Sequence, residues 1–159
     1  MKNQLLTLSI IQKGDRVLLG MKKQGFGKGW WNGFGGKVEE GEELDEAAKR
    51  EIDEEIKVKV NALEERGVLY FSFLGDPKIL EVHIYSVTEF KGEPQETKEM
   101  RPVWFEIKNI PYHNMWPADS KWLPVFLEGK KFEGRIDFDE DKNVLGFEIN
   151  EIKLQEIKK

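Results

Sequence analysis

The sequence predicts one α/β domain of the α+β type, a mixed β-sheet with two helices, over residues 1–159. Three observations predict it. Short apolar or alternating runs suited to strands recur along the whole chain, only two stretches have helical spacing, and no Pro/Gly/Ser-rich linker, repeat or low-complexity segment divides them.

Taken in order, Leu5 to Ile11 and Val17 to Met21 read as strands separated by the turn Lys13-Gly14-Asp15. Gly25 to Gly29 is a glycine-dense loop, and Trp31 to Val38 is an extended segment interrupted by glycines. Leu44 to Ile56 is helical, because Leu44, Ala48 and Ile52 recur every four residues. Val68 to Phe73, Leu80 to Phe90 and Val103 to Ile107 alternate or run apolar as strands do. Ser120 to Leu127 predicts a short helix with Asp119 near its cap, strained by Pro124 in its interior. Phe132 to Phe138 and Val144 to Ile152 complete the strands.

Composition narrows the function classes. Hydrophobic residues make up 39% and charged residues 35% of a 159-residue chain, which suits a folded soluble domain. A net charge of -5 argues against a broad grip on nucleic-acid polymers but leaves small phosphorylated substrates open. With no cysteine, thiolate metal sites and disulfides are excluded. No run approaches the length of a membrane span and Met1-Lys2-Asn3-Gln4 does not begin a signal peptide, so a cytoplasmic protein without membrane partners is expected.

The informative stretch is Gly36 to Val58. Its acids alone also suit a solvated helix. At 100° per residue, however, Glu51, Glu54 and Glu55 fall within an arc of about 100° that also holds Leu44, Ala47 and Ala48. Asp45, Glu46, Lys49 and Asp53 take the opposite half. Three carboxylates directed toward the protein repel one another and lose hydration, which cations offset. Hard divalent ions suit such oxygen ligands, Mg²⁺ with Mn²⁺ as the alternative.

This stretch resembles the Nudix box, Gly-x5-Glu-x7-Arg-Glu-U-x-Glu-Glu-x-Gly-U with U bulky and apolar. Gly36, Glu42, Arg50, Glu51, Ile52, Glu54, Glu55 and Val58 match it; Lys57 replaces the second glycine, which leaves the shape of the helix exit open. The resemblance implies the Nudix fold, a mixed β-sheet sandwiched between helices, and hydrolysis of a nucleoside diphosphate linked to another group. It implies that the Gly36 carbonyl, Glu51, Glu54 and Glu55 hold metal, that Arg50 orients the glutamates and that Glu42 steadies the loop before the helix. Glu51 and Glu55 are the candidates for the base.

Beyond the box, Val17-Leu-Leu-Gly-Met-Lys-Lys, Gly25-Phe-Gly, Trp31-Asn-Gly-Phe-Gly-Gly-Lys-Val, Glu99-Met-Arg-Pro and Met115-Trp-Pro are similar to the animal branch of that family that hydrolyses oxidised purine nucleoside triphosphates. By position, that similarity implies Glu99 as a further metal ligand and Lys22 near the phosphates or sugar. It implies a base pocket of Phe26, Asn32, Phe71, Phe73, Leu80, Trp116, Asp119 and Trp122, with Thr7 at its edge. Read without it, Phe71 and Phe73 also suit a core, Asn32 a turn, and Trp116 and Trp122 the packing beside a short helix. That branch has two adjacent aspartates where this chain has Ala118-Asp119. One carboxylate accepts from the N1 and N2 hydrogens of a guanine-type base, so oxidised guanine is expected over oxidised adenine. His83 and His113 carry no catalytic expectation. The partner implied is a small-molecule purine nucleotide, bound by a monomer. Two other readings remain: a Nudix pyrophosphohydrolase for an unmodified or methylated nucleotide or a nucleotide sugar, and a nucleotide-sensing module without catalysis.

Overall fold

A computed structural model describes residues 3–153. Its strands are β1 (Gln4–Lys13), β2 (Arg16–Lys22), β3 (Trp31–Asn32), β4 (Phe34–Lys37), β5 (Lys59–Phe73), β6 (Asp76–Lys91), β7 (Met100–Glu106), β8 (Lys131–Phe138) and β9 (Val144–Ile152). Its helices are α1 (Leu44–Ile56) and α2 (Asp119–Leu127), with single 3₁₀ turns at Ile107–Asn109 and Tyr112–Asn114. The strands form one mixed sheet in the order β3-β2-β1-β6-β5-β8-β9, with β4 paired to β1 and β7 to β2. The β1–β6 and β5–β8 pairs are parallel and the rest antiparallel.

β1 explains why the sheet carries a cleft. Ile11 to Lys13 pair with β2, whereas Leu6 to Ser9 pair with β4 on that same edge. The sheet therefore forks along one strand, and the glycine-interrupted segment fills one arm. Gly35 is required there: a Cβ on it would fall 1.8 Å from the Thr7 carbonyl oxygen.

Both faces of the sheet are covered, so the consecutive residues Val17 to Gly20 of β2 are all buried. On one face Ile10, Val17, Leu19, Leu69, Val82 and Ile84 pack with Trp122, Leu123 and Phe126 of α2. On the other, Ile11, Leu18, Phe34, Val87 and Met100 pack with Ile52 and Ile56 of α1. Each fully buried Ile contributes about 1.5–3 kcal/mol. Ala47 and Ala48, also buried, let α1 approach closely.

The strands extend past the expected limits, most of all β5, which begins at Lys59 rather than Val68. Val103 to Ile107 is corrected at both ends, because β7 starts at Met100 and Ile107 opens a 3₁₀ turn. α2 tolerates Pro124 and starts at Asp119, one residue before the expected Ser120 and next to its N-cap Ala118, which makes no side-chain cap bond. The far end of α2 is held by buried Arg66, whose guanidinium donates to the carbonyls of Phe126 at 2.6 Å and Lys130 at 3.1 Å. It also covers the Phe126 ring, 4.5 Å from the centroid.

Candidate active site

α1 begins at a capping box, with the Glu46 carboxylate accepting from the Glu43 N–H at 2.9 Å. It ends with Lys57 in the left-handed region, φ 61° and ψ 37°, its N–H donating to the Asp53 carbonyl. A glycine-like exit thus forms despite the lysine.

Arg50 organises the carboxylates. Its Nε and Nη2 donate to the two Glu42 oxygens at 2.6 and 3.0 Å, and Nη2 also donates to the Lys37 carbonyl at 3.1 Å. Nη1 reaches Glu51 at 3.2 Å and Glu54 at 3.4 Å. The paired fork raises the Arg50 pKa above its ordinary value and lowers that of Glu42.

Glu51 and Glu55 turn inward and Glu54 does not. Glu55 is 4% exposed, the Glu51 side chain 15%, but the Glu54 side chain 51%. This corrects the expectation of three inward carboxylates: Glu54 sits at the edge of the arc, where Arg50, one turn earlier, is its partner. Glu55 Oε1 accepts from the Gly35 N–H at 3.0 Å. A Cβ on Gly36 would stand 2.5 Å from Glu51 Oε2. Of the two glycines of β4, Gly36 therefore gives Glu51 its space and Gly35 gives Glu55 a hydrogen-bond donor.

Burial pushes the Glu55 carboxyl up to about 8, helped by the charges of Glu51 and Glu99 and opposed by Lys22. Burial also raises Glu51, with Glu54 and Glu99 adding to it and Arg50 opposing. So Glu99, at the end of the loop before β7, lies within the field of the helix carboxylates. Among the described residues no three such side chains are already closed into a cage; Arg50 holds Glu42, Glu51 and Glu54 instead. The set nonetheless fits a hard divalent cation. Its oxygen donors are under-hydrated and mutually repelling, which a cation relieves.

On the other side of β4 lies a cavity of about 170 Å³. Thr7, Lys22, Phe26, Asn32, Phe71, Leu80, Trp116 and Asp119 line it, and Gly36, expected only as a metal ligand, lines it too. Trp30, Leu6, Leu8, Val82, Gly27 and Gly35 join them without having been expected. Trp30, which no sequence pattern marked between the Gly25–Gly29 loop and Trp31, packs edge-on against Trp116 at 5.2 Å.

Two expected residues do not line the cavity. Trp122 is 1% exposed and packs on Phe132 inside the core, acting on the cavity only through its neighbour. Phe73 stacks on Phe138 at 5.0 Å and lines an adjoining cleft with Leu74, Asp76 and Lys142. Neither alternation nor helical spacing carries that depth.

Asp119 is buried. Its Oδ1 accepts from Trp122 Nε1 at 3.0 Å, while Oδ2 has no partner among the described residues. Burial pushes this carboxyl up to about 7. Asn32 Oδ1 accepts the Gly33 N–H at 2.8 Å, so the amide serves the turn and keeps its NH₂ for a ligand. Thr7 Oγ1 is likewise buried without a partner among the described residues.

His83 lies between Glu65 (2.6 Å) and Glu81 (2.8 Å), and His113 is exposed; neither lines the cavity. A larger open cleft of about 780 Å³ is lined by Lys13, Asp15, Arg16, Glu89 and Trp104. It mixes both signs of charge and includes none of the helix carboxylates.

The NUDIX domain family matches residues 4–126. The chain is 45% identical to the oxidized purine nucleoside triphosphate hydrolase of Mus musculus, over 94% of this chain and 96% of that protein. It is 43% identical to the protein of the same name from Danio rerio, over 95% and 97% respectively. Among solved structures, the mutator MutT protein from Bacillus halodurans is 26% identical and superposes with a TM-score of 0.80, covering 92% of this chain and 97% of that one. The chain belongs to the Nudix family.

Proposed function

We propose that this Nudix protein hydrolyses oxidised purine nucleoside triphosphates to the monophosphate and pyrophosphate, and so cleanses the nucleotide pool. One observation carries the reading: Gly35 and Gly36 are the shared wall of a purine-sized, aromatic-lined cavity and a carboxylate set. A nucleotide whose base enters the cavity presents its phosphates along that wall. The two vertebrate relatives, similar over nearly their whole length, are named for this activity.

In this reading the Gly36 carbonyl, Glu51, Glu54, Glu55 and Glu99 would hold divalent metal, Mg²⁺ or Mn²⁺. When bound, the metal would supply Lewis-acid activation of water and neutralise phosphate charge. The chain's own residues do the rest. Lys22, which lines the cavity and lowers the Glu55 pKa, offsets negative charge near the phosphates. Glu55 keeps Oε2 free to take the proton of the attacking water, since Oε1 is occupied by Gly35 N–H. Glu51 is the alternative base. Arg50 orients Glu42, Glu51 and Glu54. The bond that breaks joins the α and β phosphates.

At the base, Phe26 and Trp116, 5.2 Å apart, offer apolar faces, and Asp119 Oδ2 offers an acceptor. Guanine-type N–H donors suit it. Ala118 provides no second carboxylate to accept from the amino group of an oxidised adenine. The purified protein with Mg²⁺ is therefore expected to turn over 8-oxo-dGTP faster than 2-oxo-dATP, by about tenfold for one lost hydrogen bond. Ala118→Asp should narrow the gap between the two oxidised substrates. Equal turnover of 8-oxo-dGTP and 2-oxo-dATP by the wild type contradicts the selectivity, and faster turnover of a nucleotide sugar contradicts the substrate class. β8 and β9 lie past the matched residues, and β8 joins the same sheet beside β5, which supports reading the whole chain as one domain.

A further inference from the structure

We infer that Thr97 is a positioning residue, whose hydroxyl fixes the Glu99 loop against the end of α1 and so sets the spacing between Glu99 and the helix glutamates. The last carbonyls of a helix lack partners within it. At the end of α1, two of them are taken up by the loop between β6 and β7. The Ile56 carbonyl accepts from Gln95 N–H at 2.8 Å, and the Glu55 carbonyl accepts from Thr97 Oγ1 at 2.8 Å. Thr97 Oγ1 in turn accepts from the Glu99 N–H at 3.2 Å. One hydroxyl thus links the backbone of the buried helix glutamate to the backbone of the loop glutamate, as a donor to one and an acceptor from the other.

Other bonds hold the bridge in place. Thr97 N–H donates to the Met100 carbonyl at 2.9 Å, on a residue 2% exposed at the start of β7. Lys23 N–H donates to the Glu99 carbonyl at 2.9 Å, and Lys23 Nζ reaches the Thr97 carbonyl at 2.8 Å and Glu96 at 2.6 Å. The loop is therefore tied on one side to α1 and on the other to the end of β2. The charge of Glu99 acts on both Glu51 and Glu55, so its placement changes the carboxylate set as a whole. A hydroxyl is the smallest group able to donate and accept at once. Valine has the shape of threonine and neither capacity, whereas serine keeps both.

The inference rests on the reading that Glu99 helps hold a divalent cation, and the test separates the two. Free Mn²⁺ is measured by electron paramagnetic resonance during titration of the full chain, with no nucleotide present. Thr97→Val is expected to weaken Mn²⁺ binding about tenfold, the low end of what outer partners of ligands contribute. Thr97→Ser should stay within about twofold of the wild type, and Glu99→Gln should weaken binding at least as much as Thr97→Val. In the Glu99→Gln background, Thr97→Val should cost nothing further, because it acts through Glu99.

A Thr97→Val loss of the same size in both backgrounds overturns the inference, as does an unchanged affinity in Thr97→Val when Glu99→Gln weakens binding. In both cases the metal reading of Glu99 stands. Unchanged affinity in Glu99→Gln overturns both. If Thr97→Val fails to fold, Thr97→Ala replaces it in the same cycle, since it also removes the hydroxyl and adds no bulk. A loss confined to the Glu99 background supports the bridge, and an equal loss in both backgrounds overturns it.

Discussion

Asp119 shows how one residue links stability to recognition. A buried carboxylate with only one oxygen satisfied is costly to ionise, and its pKa of about 7 stands above the ordinary value of about 3.9. Between those two values the folded protein holds a proton that the unfolded chain has released. The stability tied to that proton is present at low pH and is lost as pH rises through about 7. Asp119→Asn removes this dependence, so wild type should lose stability relative to the variant between pH 5 and 8. Urea unfolding of both proteins across that range reads the difference, and a difference that does not change with pH contradicts the assignment. A base offering N–H donors to Oδ2 replaces the missing proton, which is why the same group suits a guanine-type edge.

The helix α1 carries the sharpest departure from the family pattern, and it behaves as the pattern requires. A non-glycine residue at a left-handed position costs roughly 1–2 kcal/mol. Lys57 accepts that cost at φ 61°, with its N–H still bonded to Asp53. Lys57→Gly should therefore raise stability by about 1 kcal/mol, less than the full strain because glycine also frees the unfolded chain. That corresponds to a melting point about 2–4 °C higher, and a lower melting point would contradict the account. Element by element, the amphipathic strands and α1 were legible because their spacing and their burial agree. The first half of β5 was not: Asn61, Glu64, Glu65 and Arg66 give no alternation, and bulges near Ala62 and Gly67 shift the register. The carboxylate set was legible from its box, except that Glu54 is exposed: it lies at the edge of the arc, one turn from its partner Arg50. Trp122 and Phe73 show the limit of placing residues by likeness. Depth behind a pocket wall depends on packing across several strands, and no local pattern encodes it.

For the molecule as a whole, the forked partnership of β1 decides what the site can do. By pairing with β2 at one end and β4 at the other, it opens a cavity on one side of two glycines and leaves room for carboxylates on the other. α2 covers the sheet face that carries the cavity and α1 the face behind it, so each helix brings its own chemistry to one wall. Among the described residues no helix is long and apolar enough to cross a membrane. The most direct test of the joined site is product analysis of 8-oxo-dGTP incubated with Mg²⁺ and either the wild type or Glu55→Gln. The wild type should release pyrophosphate and 8-oxo-dGMP, and Glu55→Gln should lower that rate by about 10²–10⁴-fold while still binding the nucleotide. Tight binding by the wild type without pyrophosphate, release of orthophosphate in its place, or full activity in Glu55→Gln would contradict it.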